Sequence, residues 1–264
     1  MLTSRPGLDL IVVVGLLVVP CTPHPALRAL PLTDLSAAFA SQVEAEAAVD
    51  IGLTIEDPEA REIIAKPTLR RQIPRIQLAG DRRTYEFLVS HPPLATQLAR
   101  RLYPPLERYT VTQVEEGIYT IEDRGALRGD ARLIAATGDQ RIYRFQGEFR
   151  SLANLLRFTG RMVLILHYRE VREGSRTSME SDPEFYLRID HPFIHVMTKL
   201  LSPLITSLID RRVNTIVEAT SKLFDQVRTD PDGFYRKMIT WPEVQPTDLE
   251  AYRIAFMDKG RGVR

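Results

Sequence analysis

The chain has 264 residues, 44% hydrophobic and 26% charged, with 14 glycines and 18 prolines. Such a composition supplies a core and excludes a disordered, collagen-like or coiled-coil protein. Its 35 basic and 34 acidic groups leave a formal net charge of +1, without the basic excess of a nucleic-acid binder. Arginine outnumbers lysine 30 to 5, but the arginines are scattered among acids, so no nucleic-acid partner is expected.

The N-terminus places Arg5 before the apolar run Leu10 to Pro20, followed by small and polar residues. This is the layout of a secretory signal peptide. The run is shorter than the ~20 apolar residues a membrane span needs. Cleavage near residue 23 and an exported, periplasmic or envelope location are therefore expected over a retained anchor. The single cysteine, Cys21, follows Pro20, where a lipoprotein signal would carry a small residue; lipidation is the weaker expectation. A mature chain without cysteine has no disulfide and no thiolate chemistry, and must rest on its core.

Residues 24–80 read as a helical extension. Leu35, Ala38, Phe39, Val43 and Ala47 recur near a helical repeat over 34–49. Asp57-Pro58-Glu59 supplies a cap, a first-turn proline and a first-turn acid, and Lys66-Pro67 ends that helix. From residue 82 the period changes to two. Thr84 to Val89 reads as a strand. Pro92-Pro93 with Leu94, Leu98 and Leu102 predicts a short helix before Pro104-Pro105. Strands are then predicted at Tyr109–Val114, Ile118–Glu122, Ala131–Ala136, Arg141–Phe149, Arg161–Val171 and Thr177–Ile189. The turns between them fall at Glu116-Gly117, Arg124-Gly125, Gly138-Asp139 and Glu173-Gly174-Ser175. Strands punctuated this regularly predict an antiparallel meander.

A short helix over 192–201 is followed by the helix start Ser202-Pro203. Over 203–227, Ile205, Ile209, Val213, Ile216, Thr220, Leu223 and Val227 step by three and four, opposite a polar face with Asn214, Glu218, Lys222 and Asp225. A two-faced helix this long needs a broad apolar surface, and the preceding sheet is the candidate. A final helix over 247–257, with Leu249, Tyr252, Ile254 and Phe256, is expected to pack on the outside of the domain.

This order of strand, short helix, antiparallel strands and one long C-terminal amphipathic helix resembles the helix-grip fold of the START/Bet v 1-like (SRPBCC) superfamily. The resemblance covers roughly 82–228. It differs in offering one helix, Leu94–Leu102, where the superfamily usually has two after the first strand, and in the break at Ser202-Pro203. It implies an α+β fold with a curved sheet of about seven strands wrapped on the final helix. It also implies binding of lipids, sterols or other apolar molecules, with cyclase or hydrolase activity in some members and no universal catalytic residue. The expected organisation is a signal peptide at 1–23, an extension at 24–80, a helix-grip domain at 81–235 and a packed tail at 236–264.

Several side chains are candidates for the interior of the grip. Tyr143, Phe145, Gly147 and Phe149 share one face of their strand, and Phe185 and Leu187 alternate with Tyr186 and Arg188. Val163, Ile165 and His167 share a side of the next strand. Together with Ile205, Ile209, Val213 and Ile216 they form the expected ligand-binding set. Such a lining either fills itself or leaves room for a ligand; Gly147 in mid-strand marks curvature or close approach. His167 could orient a ligand's polar group or be a satisfied core histidine, and Arg169 shares its face. His191 and His195 have a metal-like spacing, but His191 sits between Asp190 and Pro192, so capping is expected and no metal or cofactor is assigned. Leu152, Leu155, Leu156 and Phe158 lie between Arg150, Arg157 and Arg161, an arrangement suited to a membrane-docking or lid loop or to a plug on the core. No phosphate-binding glycine loop or nucleophile elbow is present. The expected function is non-catalytic binding or transport of a hydrophobic, lipid-like ligand in the cell envelope. The alternatives are a structural or interaction module of the envelope, and an enzyme that uses His167.

Overall fold

The structure, a computed structural model, describes residues 55–123, 127–151, 156–190 and 214–258, without the side chains of Phe149, Ser151, Leu156, Arg157 and Phe158. The expected signal segment, the 34–49 and 192–201 helices, the Ser202-Pro203 start and the Arg124-Gly125 turn lie outside the described residues.

Asp57-Pro58-Glu59 opens a helix as expected. Helix α1 spans Pro58–Ala65, and the Asp57 carboxylate accepts the Ala60 N–H at 2.8 Å. Two short strands follow, β1 (Leu69–Gln72) and β2 (Ile76–Ala79), on either side of Pro74. Both pair antiparallel with the last strand, Leu69 opposite Leu187 and Ile76 opposite Ser181. They form one edge strand interrupted around Pro74, which has no N–H for a ladder.

The strand expected at Thr84–Val89 is a helix. Helix α2 spans Arg82–Ser90, with the Asp81 carboxylate accepting the Thr84 N–H at 2.8 Å. Tyr85, Phe87, Leu88 and Val89 are all buried, which simple alternation does not require. Tyr85, Phe87 and Val89 satisfy period two, while Tyr85, Leu88 and Val89 satisfy the helical period; the Gly80-Asp81 cap decides for helix. Helix α3 (Pro92–Leu102) follows directly, with His91 ending one helix and preceding the next. Two helices thus follow the first strand, which removes one departure from the helix-grip pattern.

Six strands then form the meander: β3 (Tyr109–Glu115), β4 (Ile118–Asp123), β5 (Leu127–Ala136), β6 (Gln140–Ser151), β7 (Leu156–Glu173) and β8 (Arg176–Ile189). Gly117 and Gly174 take positive φ, 71° and 61°, in the turns where both were expected. All pairings are antiparallel. Across the sheet β1 and β2 lie beside β8, followed by β7, β6, β5, β4 and β3. A further helix, α4, is described over 214–229. Its Ile216, Thr220, Leu223 and Val227 are buried and its Asn214, Glu218, Lys222 and Asp225 exposed, as the stripe predicts. The fold is therefore α+β, an antiparallel sheet with a C-terminal helix in the helix-grip arrangement.

Helices α5 (Pro231–Ile239) and α6 (Pro246–Phe256) complete the described chain. Tyr252 and Phe256 of α6 are buried and meet the Phe87 ring edge-on, with centroids 5.8 and 4.9 Å away. Among the described residues no helix is long and apolar enough to cross a membrane.

Helix α4 approaches the β2–α2 junction closely. A Cβ on Gly80 would lie 2.1 Å from Cδ1 of Phe224, and Phe224 is fully buried, so its ring has nowhere to swing. Gly80→Ala should lower stability by ~1–3 kcal/mol, the usual cost of overpacking a core. A urea midpoint equal to that of the unsubstituted protein would refute this contact.

Candidate functional site

Residues directly opposite in an antiparallel pair share a face, so the register shows which side chains line the grip. One inner row runs Tyr119, Ala131, Phe145, Met162, Leu187 and Leu69; the next runs Leu133, Tyr143, Leu164 and Phe185. On the other side of Phe145 a row runs Val111, Ile121, Gly129, Gly147, Gly160 and Ile189. Three adjacent strands thus lack a side chain at the same level. A Cβ on Gly147 would lie 2.7 Å from the Arg128 carbonyl oxygen and 2.7 Å from Cζ of Phe145, and one on Gly129 would lie 2.6 Å from the same Cζ. The Phe145 ring leans along the sheet over these glycines instead of standing away from it. Facing this wall, Ile216, Ala219, Leu223, Phe224 and Val227 of α4 join the same apolar cluster, together with Tyr85, Leu88, Leu94 and Leu98 of α2 and α3.

The structure brings together part of the predicted set. Tyr143, Phe145, Phe185, Leu187 and Ile216 are buried in this one cluster. Phe149 follows the same strand face, with Leu127 and Phe158 as register partners. Ile205, Ile209 and Val213, and the loop residues Leu152 and Leu155, lie outside the described residues. Leu156 and Phe158 are placed in β7 by their backbone, opposite Ser151 and Phe149, so β7 begins earlier than expected.

Val163, Ile165 and His167 do not line the interior. They occupy the opposite face of β7, and the inner positions are Met162, Leu164 and Leu166. Val163 and Ile165 belong to a second cluster with Ile142, Tyr186, Ile55, Ala60 and Ile63. Helix α1 covers that outer face. Arg144 meets Asp57 and Glu59, Arg161 meets Glu59 and Asp190, and Arg188 meets Glu62. His167 is half-buried and its Nε2 lies 3.1 Å from Nε2 of Gln140. Arg169 pairs with Glu180 at the surface. Residues 162–166 are all buried because both faces are covered, so alternation could not distinguish them. The missed signal was register. The two-residue turn Gly174-Ser175 pairs Glu173 with Arg176, and counting back places Met162 opposite Leu187 and Leu164 opposite Phe185.

Docking of α1 is expected to depend on its apolar face. Ile63 is fully buried, and Ile63→Ala should cost ~2–4 kcal/mol as a large-to-small core substitution. Hydrogen exchange should then rise at the α1 amides first; unchanged protection there would contradict this packing.

The interior ends at a polar group. Arg141, opposite Leu166 on the inner face, is 5% exposed. Its Nη2 donates to Glu86 of α2 at 2.9 Å, and the Tyr168 hydroxyl donates to the other Glu86 oxygen at 3.0 Å. Burial pushes the nearby Tyr119 hydroxyl up to about 12, with the Arg141 charge opposing; burial likewise pushes Tyr186 up to about 12. A pKa raised above the ordinary 10.0 leaves stability unaffected below pH 10 and removes it as pH rises through 10 to 12. For Tyr119 the expected loss near pH 11.5 is ~2 kcal/mol, from ~1.4 kcal/mol per pKa unit. Urea midpoints between pH 8 and 11.5 check this, and Tyr119→Phe should flatten the alkaline limb.

Among the described residues no three His, Cys, Asp or Glu side chains gather where they could hold a metal ion; His191 and His195 lie outside them. No protein-family model matches the chain, and no curated protein matches it. Solved structures do resemble it at low identity. Norcoclaurine synthase from Thalictrum flavum is 17% identical, with 65% of this chain and 95% of that one covered and a TM-score of 0.38. A conserved protein from Geobacillus kaustophilus is 10% identical over 57% of this chain and 95% of its own, with a TM-score of 0.36. Ara h 8.0201 is 13% identical over 56% and 99%, with a TM-score of 0.31.

Proposed function

We propose that the interior of the grip binds a hydrophobic or amphipathic molecule, and that the protein is a non-catalytic carrier or sensor of lipid-like compounds in the cell envelope. The observation that carries this reading is the inner wall at Gly129, Gly147 and Gly160. Three strands side by side carry no side chain at one level; the Phe145 ring lies over Gly129 and Gly147, and helix α4 adds the buried Ile216, Ala219, Leu223, Phe224 and Val227 with one buried polar side chain, Thr220. Affinity would come mainly from apolar burial at ~25 cal/mol per Å². The envelope location rests on the signal-like N-terminus, and transient membrane contact rests on Leu152, Leu155, Leu156 and Phe158.

An enzyme working through His167 is not carried forward, because that imidazole lies on the face away from the interior. An interaction module remains the second reading, favoured by the exposed apolar side chains Val114, Ile239 and Ile254. The experiment incubates the purified mature protein with a total lipid extract, re-isolates it and identifies retained molecules by mass spectrometry. One apolar class at near-unit stoichiometry is the expected outcome. Recovery of no apolar molecule would sink the carrier reading.

A further inference from the structure

The outer face of the sheet, away from the grip, carries a charge pattern that its own strands do not settle. Two arginine pairs stand directly opposite one another there, Arg132 with Arg144 and Arg161 with Arg188. Like charges in that position repel. They belong to two neighbouring rows. One runs Arg132, Arg144, Val163, Tyr186 and Arg70, and the other Asp130, Gln146, Arg161 and Arg188. Five arginines thus stand beside one carboxylate, Asp130, which already accepts the Thr120 hydroxyl at 2.7 Å. Nearby strand acids serve only the margins: Arg70 donates to Glu184 at 2.6 Å and Arg161 to Asp190 at 2.7 Å.

Helix α1 and its cap meet this pattern from outside. Arg144 pairs with Asp57 at 3.2 Å and with Glu59, Arg161 with Glu59 at 3.4 Å, and Arg188 with Glu62 at 2.7 Å. Between these charges the fully buried Ala60 and Ile63 sit on Ile142, Val163, Ile165 and Tyr186. An acidic amphipathic helix thus occupies an arginine-rimmed apolar groove, which is helix-in-groove recognition within one chain. Three features make this occupant replaceable. It has eight residues, too few for a helix to persist without its contacts. Its carboxylates stay between 18% and 52% exposed, so its ion pairs are weak and screened by salt. The main core on the inner face contains no α1 residue, so α1 can open locally without global unfolding.

We infer that the outer face is a docking groove for an acidic amphipathic helix of a partner protein, and that α1 is the resident occupant which that helix displaces. Without an occupant, the groove would leave opposed arginines and an apolar floor in water. A simple anion meets the arginines but not Ile142, Val163 and Ile165. An uncharged apolar helix covers that floor but leaves the arginines facing one another. An anionic bilayer offers both features over a broad plane, whereas the occupant already seated is one short helix paired to β6, β7 and β8. The groove and the grip interior lie on opposite faces of the sheet, so this inference is independent of the interior.

The test titrates the full chain with a synthetic peptide of unrelated sequence, longer than ~15 residues so that it holds a helix unaided. The peptide carries carboxylates at the offsets of Asp57, Glu59 and Glu62 and apolar residues at those of Ala60 and Ile63. Hydrogen exchange at the α1 amides should rise at least tenfold at peptide saturation, while the amides of β6 to β8 stay protected. A scrambled peptide should do neither. Glu59→Arg combined with Glu62→Arg turns α1 against the sheet arginines and should tighten peptide binding at least tenfold. Adding Arg144→Gln and Arg188→Gln to that variant should abolish the gain. Ile63→Ala, a milder release, should tighten binding several-fold and serves if the charge reversals do not fold, with melting curves checking each. Three results would overturn the inference: no saturable peptide binding when α1 is released, equal binding of the scrambled peptide, or α1 protection unchanged at saturation. Retention of the released variant on phosphatidylglycerol vesicles without peptide binding would overturn it in favour of an anionic lipid surface.

Discussion

Glu86→Leu should destabilise the protein by ~3–5 kcal/mol, the cost of removing one partner from a buried ion pair, and Arg141→Met should cost much less. The asymmetry follows from exposure. The Arg141 side chain is 6% exposed, whereas Glu86 is 32% exposed. Without Glu86, the Arg141 guanidinium keeps its place inside the grip but loses that carboxylate, with little water to replace it. Without Arg141, Glu86 keeps the Tyr168 hydroxyl and the Arg82 guanidinium at 3.8 Å, and can hydrate. A methionine of similar length fills the Arg141 site with apolar volume, an exchange that is often near neutral. Urea unfolding of the two variants and of the double variant measures this. Equal costs would show that the pair is not the asymmetric closure of the interior described above.

Gly147→Val is expected to have the next largest effect, on binding as well as stability. Its Cβ alone would lie 2.7 Å from both a backbone oxygen and the Phe145 ring. The backbone of β5 cannot yield cheaply, so the ring must lift off its seat toward α4. Stability should fall by ~1–3 kcal/mol through overpacking. Binding of a fluorescent fatty-acid analogue should weaken at least tenfold, because branched side-chain volume and a displaced phenyl now occupy the wall. Phe145→Leu provides the counter-test: it relieves the contact on Gly129 and Gly147 and should preserve binding in the folded protein. Unchanged probe affinity in a folded Gly147→Val variant would place the ligand somewhere other than the interior.

Much of the strand arrangement was legible because turns are local. Glu116-Gly117 and Gly174 mark hairpins through a backbone conformation that glycine adopts without strain, and both turns are where the residues place them. Helix α1 was legible from its cap, and α4 from its stripe, since capping and amphipathicity are written within a few residues. The first strand was not. Leu69–Gln72 and Ile76–Ala79 are four residues each, flanked by basic and polar residues and interrupted around Pro74. Their only reason to be strands is β8, more than a hundred residues away. Thr84–Val89 failed for the opposite reason, being compatible with two periods.

By itself the amino-acid order determined the alternation of turns and strands, the caps, the two-faced final helix and hence the class of architecture. All of these follow from backbone sterics and hydrogen bonds among near neighbours. Which face of β7 looks inward is written in the sequence only through the register of the distant Gly174-Ser175 turn, and the residues of the strand itself do not show it. Met162, Val163, Leu164, Ile165 and Leu166 are equally apolar, and either set could have lined a cavity. A single helix, α1, covers the other face and buries Val163 and Ile165 on the back of the sheet. A strand covered on both sides loses the polar–apolar contrast that would otherwise mark its faces.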